Sequence, residues 1–141
     1  MKNFVFASVV LIALSGCATS PISNRDAQPV PADRIFHNEK LPIEGNTHVL
    51  FVRDVGFMDS GVYQHLFIDG KEAALINPGE KVEFTLAPGE HIFGVIPTDP
   101  FGSFTLNTIA QDLKPGKRYF YRIQMDGNGL SSFQHFLPEV E

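Results

Sequence analysis

The chain has one thiol and five imidazoles with which to do chemistry, and the thiol has the more telling neighbours. Cys17 follows Met1-Lys2-Asn3, an apolar run from Phe4 to Leu14, and the small residues Ser15 and Gly16. Lys2 and a free amine make a positive start, the run is a short apolar segment, and Ser15 and Gly16 are small enough for a peptidase pocket. About eleven apolar residues fall short of the roughly 20 that span a hydrocarbon core, so a permanent transmembrane helix is not expected. As the chain's only cysteine, Cys17 has no intrachain disulfide partner, and the fold must hold without one even in an oxidising compartment.

Leu14-Ser15-Gly16-Cys17, behind that apolar run, resembles the lipobox of a bacterial lipoprotein signal peptide. The resemblance implies a signal helix over residues 1–16, cleavage between Gly16 and Cys17, and lipidation of Cys17 by a diacylglyceryl thioether and an N-acyl chain. One acyl chain holds a protein to a bilayer only marginally, whereas several anchor it stably. Ala18 and Thr19 follow, and by the same resemblance the absence of aspartate after the cysteine implies, for a Gram-negative source, an outer-membrane protein facing the periplasm. The competing readings are an ordinary secretory peptide with a chance cysteine, or a buried N-terminal strand.

The remaining candidates for chemistry are weaker. His37, His48, His65, His91 and His135 include no His-x-His or His-x₃-His pair, so no metal site is expected, although His48 and His65 on adjacent strands, joined by Asp54 or Asp69, would begin one. His91 follows a Pro-Gly turn. Ser131 and Ser132 precede His135 on one hairpin with no acid placed beside them, and neither a Gly-x-Ser-x-Gly nor a phosphate-cradling glycine motif occurs. Asp126-Gly127-Asn128-Gly129 has part of a calcium loop but lacks the twelfth-position ligand, and a tight hairpin explains it. The expectation is a protein that is not an enzyme and carries no cofactor. A formal charge of −5, moving to about −6 once Lys2 is removed, with no Lys/Arg cluster, argues against nucleic acid and anionic lipid as partners.

Short strands joined by tight turns must position these groups. Phenylalanine leads the apolar set at 13 residues, tryptophan is absent, and 12 glycines and 10 prolines punctuate the chain. Residues 17–45 read as the lipidated cysteine and a flexible tether broken by Pro21, Pro29, Pro31 and Pro42, with a reach on the order of 30 Å. Arg34-Ile35-Phe36 could dock on the domain as an edge segment, but a partly ordered linker is the expected reading. Residues 46–141 form the domain. His48 to Arg53 is apolar on both faces in its middle, as for a central strand. Strands follow at Val62–Ile68, Ala73–Ile76, Lys81–Leu86, His91–Ile96, Phe104–Leu113, Arg118–Met125 and Ser131–Leu137. Asp69-Gly70 predicts a type I′ hairpin, and Val82, Phe84 and Leu86 are expected to face inward. Strands at this spacing predict an all-β fold, a single antiparallel β-sandwich of about seven to eight strands, immunoglobulin- or transthyretin-like.

Leu66-Phe67-Ile68-Asp69-Gly70-Lys71, then Phe84-Thr85-Leu86-Ala87-Pro88-Gly89-Glu90-His91, and later Leu113-Lys114-Pro115-Gly116-Lys117 and Tyr119-Phe120-Tyr121, resemble the small β-sandwich domains of PEGA type and related bacterial lipoproteins. The likeness covers roughly residues 47–125, is mostly turn chemistry, and implies a fold without catalytic residues; it often has a histidine after the Pro-Gly turn, which implies a structural, strand-opening role for His91. Phe57 and Met58 in one Gly-bounded loop, and Phe101 in another, place large apolar groups where a partner would meet them, or else plug the end of the sandwich. The expected function is a non-catalytic envelope binding or assembly module with a protein partner. A carrier of a small hydrophobic ligand between the sheets is the alternative.

Overall fold

β2 (Thr47–Arg53) presents apolar side chains to both faces and lies in the middle of a sheet. Val49 and Phe51 join the core between the sheets, whereas Leu50 and Val52 belong to a second apolar cluster on the outer face, and all four are buried. The computed structural model describes residues 19–37, 45–56, 61–99 and 101–137. Among these, nine strands form two sheets and no α-helix occurs. One sheet runs β1 (Gln28–Pro29), β5 (Glu80–Leu86), β2, β8 (Arg118–Met125), β9 (Ser131–His135). The other runs β4 (Lys71–Ile76), β3 (Gln64–Ile68), β6 (Gly89–Pro97), β7 (Asn107–Leu113).

The all-β, two-sheet reading therefore holds, with two corrections. There are nine strands rather than seven or eight, because the short β1 has no periodic signal of its own. The larger sheet is mixed rather than antiparallel: β2 runs parallel to β8, with Phe51 opposite Tyr121, and β1 runs parallel to β5. Parallel neighbours suit a strand covered on both faces, which is the condition of β2.

Turn chemistry sets the hairpins. Asp69 (φ 51°) and Gly70 (φ 78°) both adopt the positive φ of a type I′ turn and connect β3 to β4 through a two-residue loop. β5 alternates as its sequence requires, with Val82, Phe84 and Leu86 turned into the core. At the centre Phe51 meets Phe93, Tyr121, Phe133 and Phe84 at ring-centroid distances of 5.2, 5.6, 6.0 and 6.3 Å. These rings fill the inter-sheet space with edge-on and offset contacts, which aromatic quadrupoles favour over face-to-face stacking.

Residues 19–37, expected to belong to the flexible tether, are instead packed on the sandwich. Gln28 and Val30 N–H groups donate to Gly79 and Lys81 carbonyls at 2.9 Å, and Lys81 Nζ donates to the Asn24 carbonyl at 2.6 Å. A 3₁₀ turn at Ala32–Arg34 follows, and the Arg34 guanidinium grips Glu80 bidentately at 2.8 and 2.6 Å. Ile35 then bridges to Ala74 and Phe36 N–H reaches the Ala73 carbonyl, so Arg34-Ile35-Phe36 docks as an edge segment in place of the partly ordered linker expected. Ala27 and Ile22 cover Leu50 and Val52. The segment has no period because it makes no repeating ladder, and it is ordered by the apolar face beneath it. The signal helix expected over residues 1–16, Gly16, Cys17, Phe57 and Met58 lie outside the described residues.

Phe51→Ala is expected to lower the unfolding free energy by about 3–5 kcal/mol, the usual cost of removing a fully packed phenylalanine. Denaturant titration of the full chain checks it, and a loss under about 1 kcal/mol would show that the aromatic cluster does not organise the core.

Candidate functional site

The chain's polar and apolar singularities converge on one end of the sandwich. Three long connections leave there, residues 54–63 after β2, residues 98–106 after β6 and residues 126–130 after β8, beside the short 77–79 turn between β4 and β5. Register places them together, since Arg53 pairs with Ile123, Gln64 with Pro97 and with Ile76, and Met125 with Ser131.

Beneath the loops lie buried polar groups. Arg53, only 1% exposed, donates from its guanidinium to the Val62 and Ile76 carbonyls, pinning the first loop to the end of β4. Asp54 is fully buried and forms an ion pair with Arg122. It also accepts from Ile22 N–H and Gln124 Nε2, each at 3.3 Å. Arg122 in turn donates to the Ile22 carbonyl at 2.9 Å and lies over the Phe136 ring at 4.7 Å. Coulomb attraction between two charges withdrawn from water is large, but it must offset their desolvation. The added donors on Asp54 and acceptor on Arg122 help to meet that cost, and the pair ties the N-terminal segment to β2 and β8. Gln64 and Ser131, both buried, meet between the sheets with Ser131 Oγ donating to Gln64 Oε1 at 2.7 Å.

The loops above carry apolar groups outward. Phe101 is 90% exposed, the same fraction as Leu137 near the other end of β9. Its loop is held by Asp99, whose carboxylate accepts the Phe101 N–H at 2.9 Å and the Phe104 N–H at 2.6 Å. Those hydrogen bonds, from Phe104 first, hold the carboxyl below its ordinary range. Phe104 folds inward against Gly129 (φ 82°), where a Cβ would lie 2.4 Å from the ring, so glycine is needed there for space as well as conformation. Between them runs a groove of about 260 Å³ lined by Val62, Pro97, Phe104 and Met125 and by the 126–129 turn. Asp126 organises that turn by accepting the Asn128 and Leu130 N–H groups at 2.9 Å, which is hairpin rather than calcium-loop geometry.

Of the three apolar loop residues singled out from sequence, Phe101 is an exposed tip; Phe57 and Met58 are outside the described residues, though Gly56 and Gly61 on either side of them belong to this same end. Sequence reading missed Tyr63 and Leu130, exposed at this end, because each looked like part of a strand or its approach.

The histidines disperse. His48 and His65 are not neighbours: they lie in different sheets, His48 beside Glu83 at 3.0 Å and His65 against Glu72 and Thr98. Asp54 and Asp69, the suggested co-ligands, are taken by Arg122 and His91. His91 bridges Asp69 at 2.7 Å and the Ala87 carbonyl at 2.8 Å, fastening two turns at the opposite end, in keeping with the strand-opening role. His135 lies on the Tyr121 ring at 4.3 Å, and His37 meets Phe84 edge-on at 5.4 Å. Among the described residues no three His, Cys, Asp or Glu side chains gather as metal ligands would. No helix there is long and apolar enough to cross a membrane.

No protein-family model and no curated protein matches the chain. Among solved structures it is similar to an NMR structure of a protein from Eubacterium rectale, at 16% identity over 73% of this chain and all of the other, with a TM-score of 0.42.

Arg122→Met leaves Asp54 buried without its cation and is expected to cost about 3–5 kcal/mol, while Asp54→Leu with Arg122→Met together should recover much of the loss. Denaturation of the two variants measures both. For Asp99 the folded carboxyl titrates below its ordinary 3.8. Its hold on the loop is therefore complete above that pH and is lost as pH falls through the lower folded value. Amide shifts of Phe101 and Phe104 should move together in that acid range, and their titration at or above pH 3.8 would contradict the assignment.

Proposed function

We propose that this chain is a lipid-anchored protein of the bacterial envelope, held at the outer membrane through Cys17 and facing the periplasm. On this reading the mature protein begins at Cys17, with a diacylglyceryl thioether on its sulfur and an acyl chain on its amine. The domain acts as a non-catalytic binding module of the PEGA-like sandwich kind and takes a protein partner by strand addition.

The observation that carries the binding role is the unequal treatment of the sheet edges. β4 has its outer edge closed by Ile35 and Phe36, and β1 is a two-residue strand ending in proline. β7 and β9 are the remaining edges, each with one strand neighbour, β6 and β8. β9 has its His135 turned to Gln111 of β7, and β7, with the sequence Asn-Thr-Ile-Ala-Gln-Asp-Leu, is the longer of the two and holds a single charge. Edge strands without proline, a bulge or lysine are open to pairing with another chain, and main-chain hydrogen bonds supply affinity in that mode. Surface binding is favoured over internal carriage of a small ligand because Phe51, Phe93, Tyr121 and Phe133 occupy the space between the sheets.

The test is recovery of cross-linked partners from detergent-solubilised membranes, together with the intact mass of the mature chain. Lipidation predicts a chain starting at Cys17 and heavier by its acyl groups. Thr108→Lys with Ala110→Lys, at exposed β7 positions, is expected to reduce partner recovery about tenfold while changing stability by no more than about 0.5 kcal/mol. Undiminished recovery removes the edge from consideration, and an unmodified Cys17 removes the anchor.

A further inference from the structure

The N-terminal segment does more than cover β2: it fixes where the anchor must be. Ser20 pairs with Val55 through both backbone hydrogen bonds, at the loop-bearing end of the sandwich. From there the chain runs back along the outer face of the sheet, through Ala27 and β1, to the 3₁₀ turn. Cys17 precedes Ser20 by three residues, which at full extension span no more than about 10 Å. A sulfur fastened to acyl chains sits at the bilayer surface, so the loop-bearing end has to lie within that distance of the headgroups.

The same end carries the exposed apolar groups that a headgroup region would accept. Phe101 is 90% exposed, Leu130 49% and Tyr63 37%, on three different loops that the strand register brings together. Phe101 is also presented rather than loose, since Asp99 holds its backbone N–H. A phenylalanine and a tyrosine beside an apolar groove suit the boundary between headgroups and acyl chains, where rings with one apolar and one wet side are favoured. Asp126 on this end is exposed and Asp99 half-buried, and among the described residues the hydrogen bonds shown for both carboxylates come from backbone N–H groups and not from lysine or arginine, which fits a zwitterionic surface and not an anionic one.

We propose that this end of the sandwich rests directly on the zwitterionic bilayer that holds Cys17, with Phe101, Leu130 and Tyr63 in the headgroup region. The inference rests on the lipid anchor proposed above. It replaces a domain standing about 30 Å off on a flexible tether with one docked against the membrane in a fixed orientation. The β7 edge then stands along the side of the docked domain, free to meet a partner.

Tryptophan is absent from the chain, so a single one reports its own depth. The lipidated chain purified from membranes, with its Cys17 modification confirmed by mass, is placed in phosphatidylethanolamine–phosphatidylcholine vesicles containing brominated lipid. Phe101→Trp and Leu130→Trp are expected to be quenched several-fold more than Ile92→Trp, which lies toward the other end beside Asp69. Using two positions guards against one variant disturbing its loop. Quenching equal at all three sites, or at none, in lipidated protein overturns the docked orientation while leaving the anchor intact. A chain whose Cys17 carries no lipid overturns the anchor, and the orientation with it.

Discussion

β2 is apolar on both faces, and the rest of the structure answers to that. A strand with Val49 and Phe51 on one side and Leu50 and Val52 on the other is satisfied only when both sides are covered. The second sheet covers one side. The other is closed by a proline-bearing segment that comes before the sandwich in sequence, using Ile22 and Ala27 together with Phe120 and Phe136. Full burial of a large apolar side chain stabilises by about 1.5–3 kcal/mol, so leaving Leu50 and Val52 in water would be a serious loss for a domain of this size. The covering segment is thus part of the domain.

Covering the outer face creates a second requirement, because a segment without a ladder of its own must find partners for its backbone. It finds them in different ways along its length. Near Ile22 the N–H and carbonyl are met by Asp54 and Arg122, a pair buried by the same contact. Gln28 and Val30 pair with β5, and Arg34 clamps Glu80 while its guanidinium also lies 5.2 Å from the Tyr63 ring. The charged groups cost desolvation, and their value lies in fixing one arrangement of the segment, since an apolar patch alone accepts several.

The two ends of the sandwich differ as a consequence. One is closed by short turns, with His91 fastening Asp69 to the Ala87 carbonyl. The other carries the long connections, a buried layer of Arg53, Gln64 and Ser131, and exposed rings above it. Ser20 joins Val55 on that same loop-bearing side, so the covering segment starts from the end that carries the long connections.

The amino-acid sequence determined the elements that rest on local chemistry. Asp69-Gly70 specified its hairpin through positive φ, the alternation from Lys81 to Leu86 specified which side chains turn inward, and the spacing of turns specified an all-β fold. The resemblance of residues 1–17 to a lipoprotein signal rests on the sequence by itself. Tertiary structure decided the rest. It set the parallel pairing of β2 with β8, which depends on how strands cross between sheets and leaves no mark on either strand's own pattern. It separated His48 from His65 and gave Asp54 to Arg122. It also turned residues 19–37 from a tether into a cover, because a segment that borrows its order from a distant apolar face shows no period of its own.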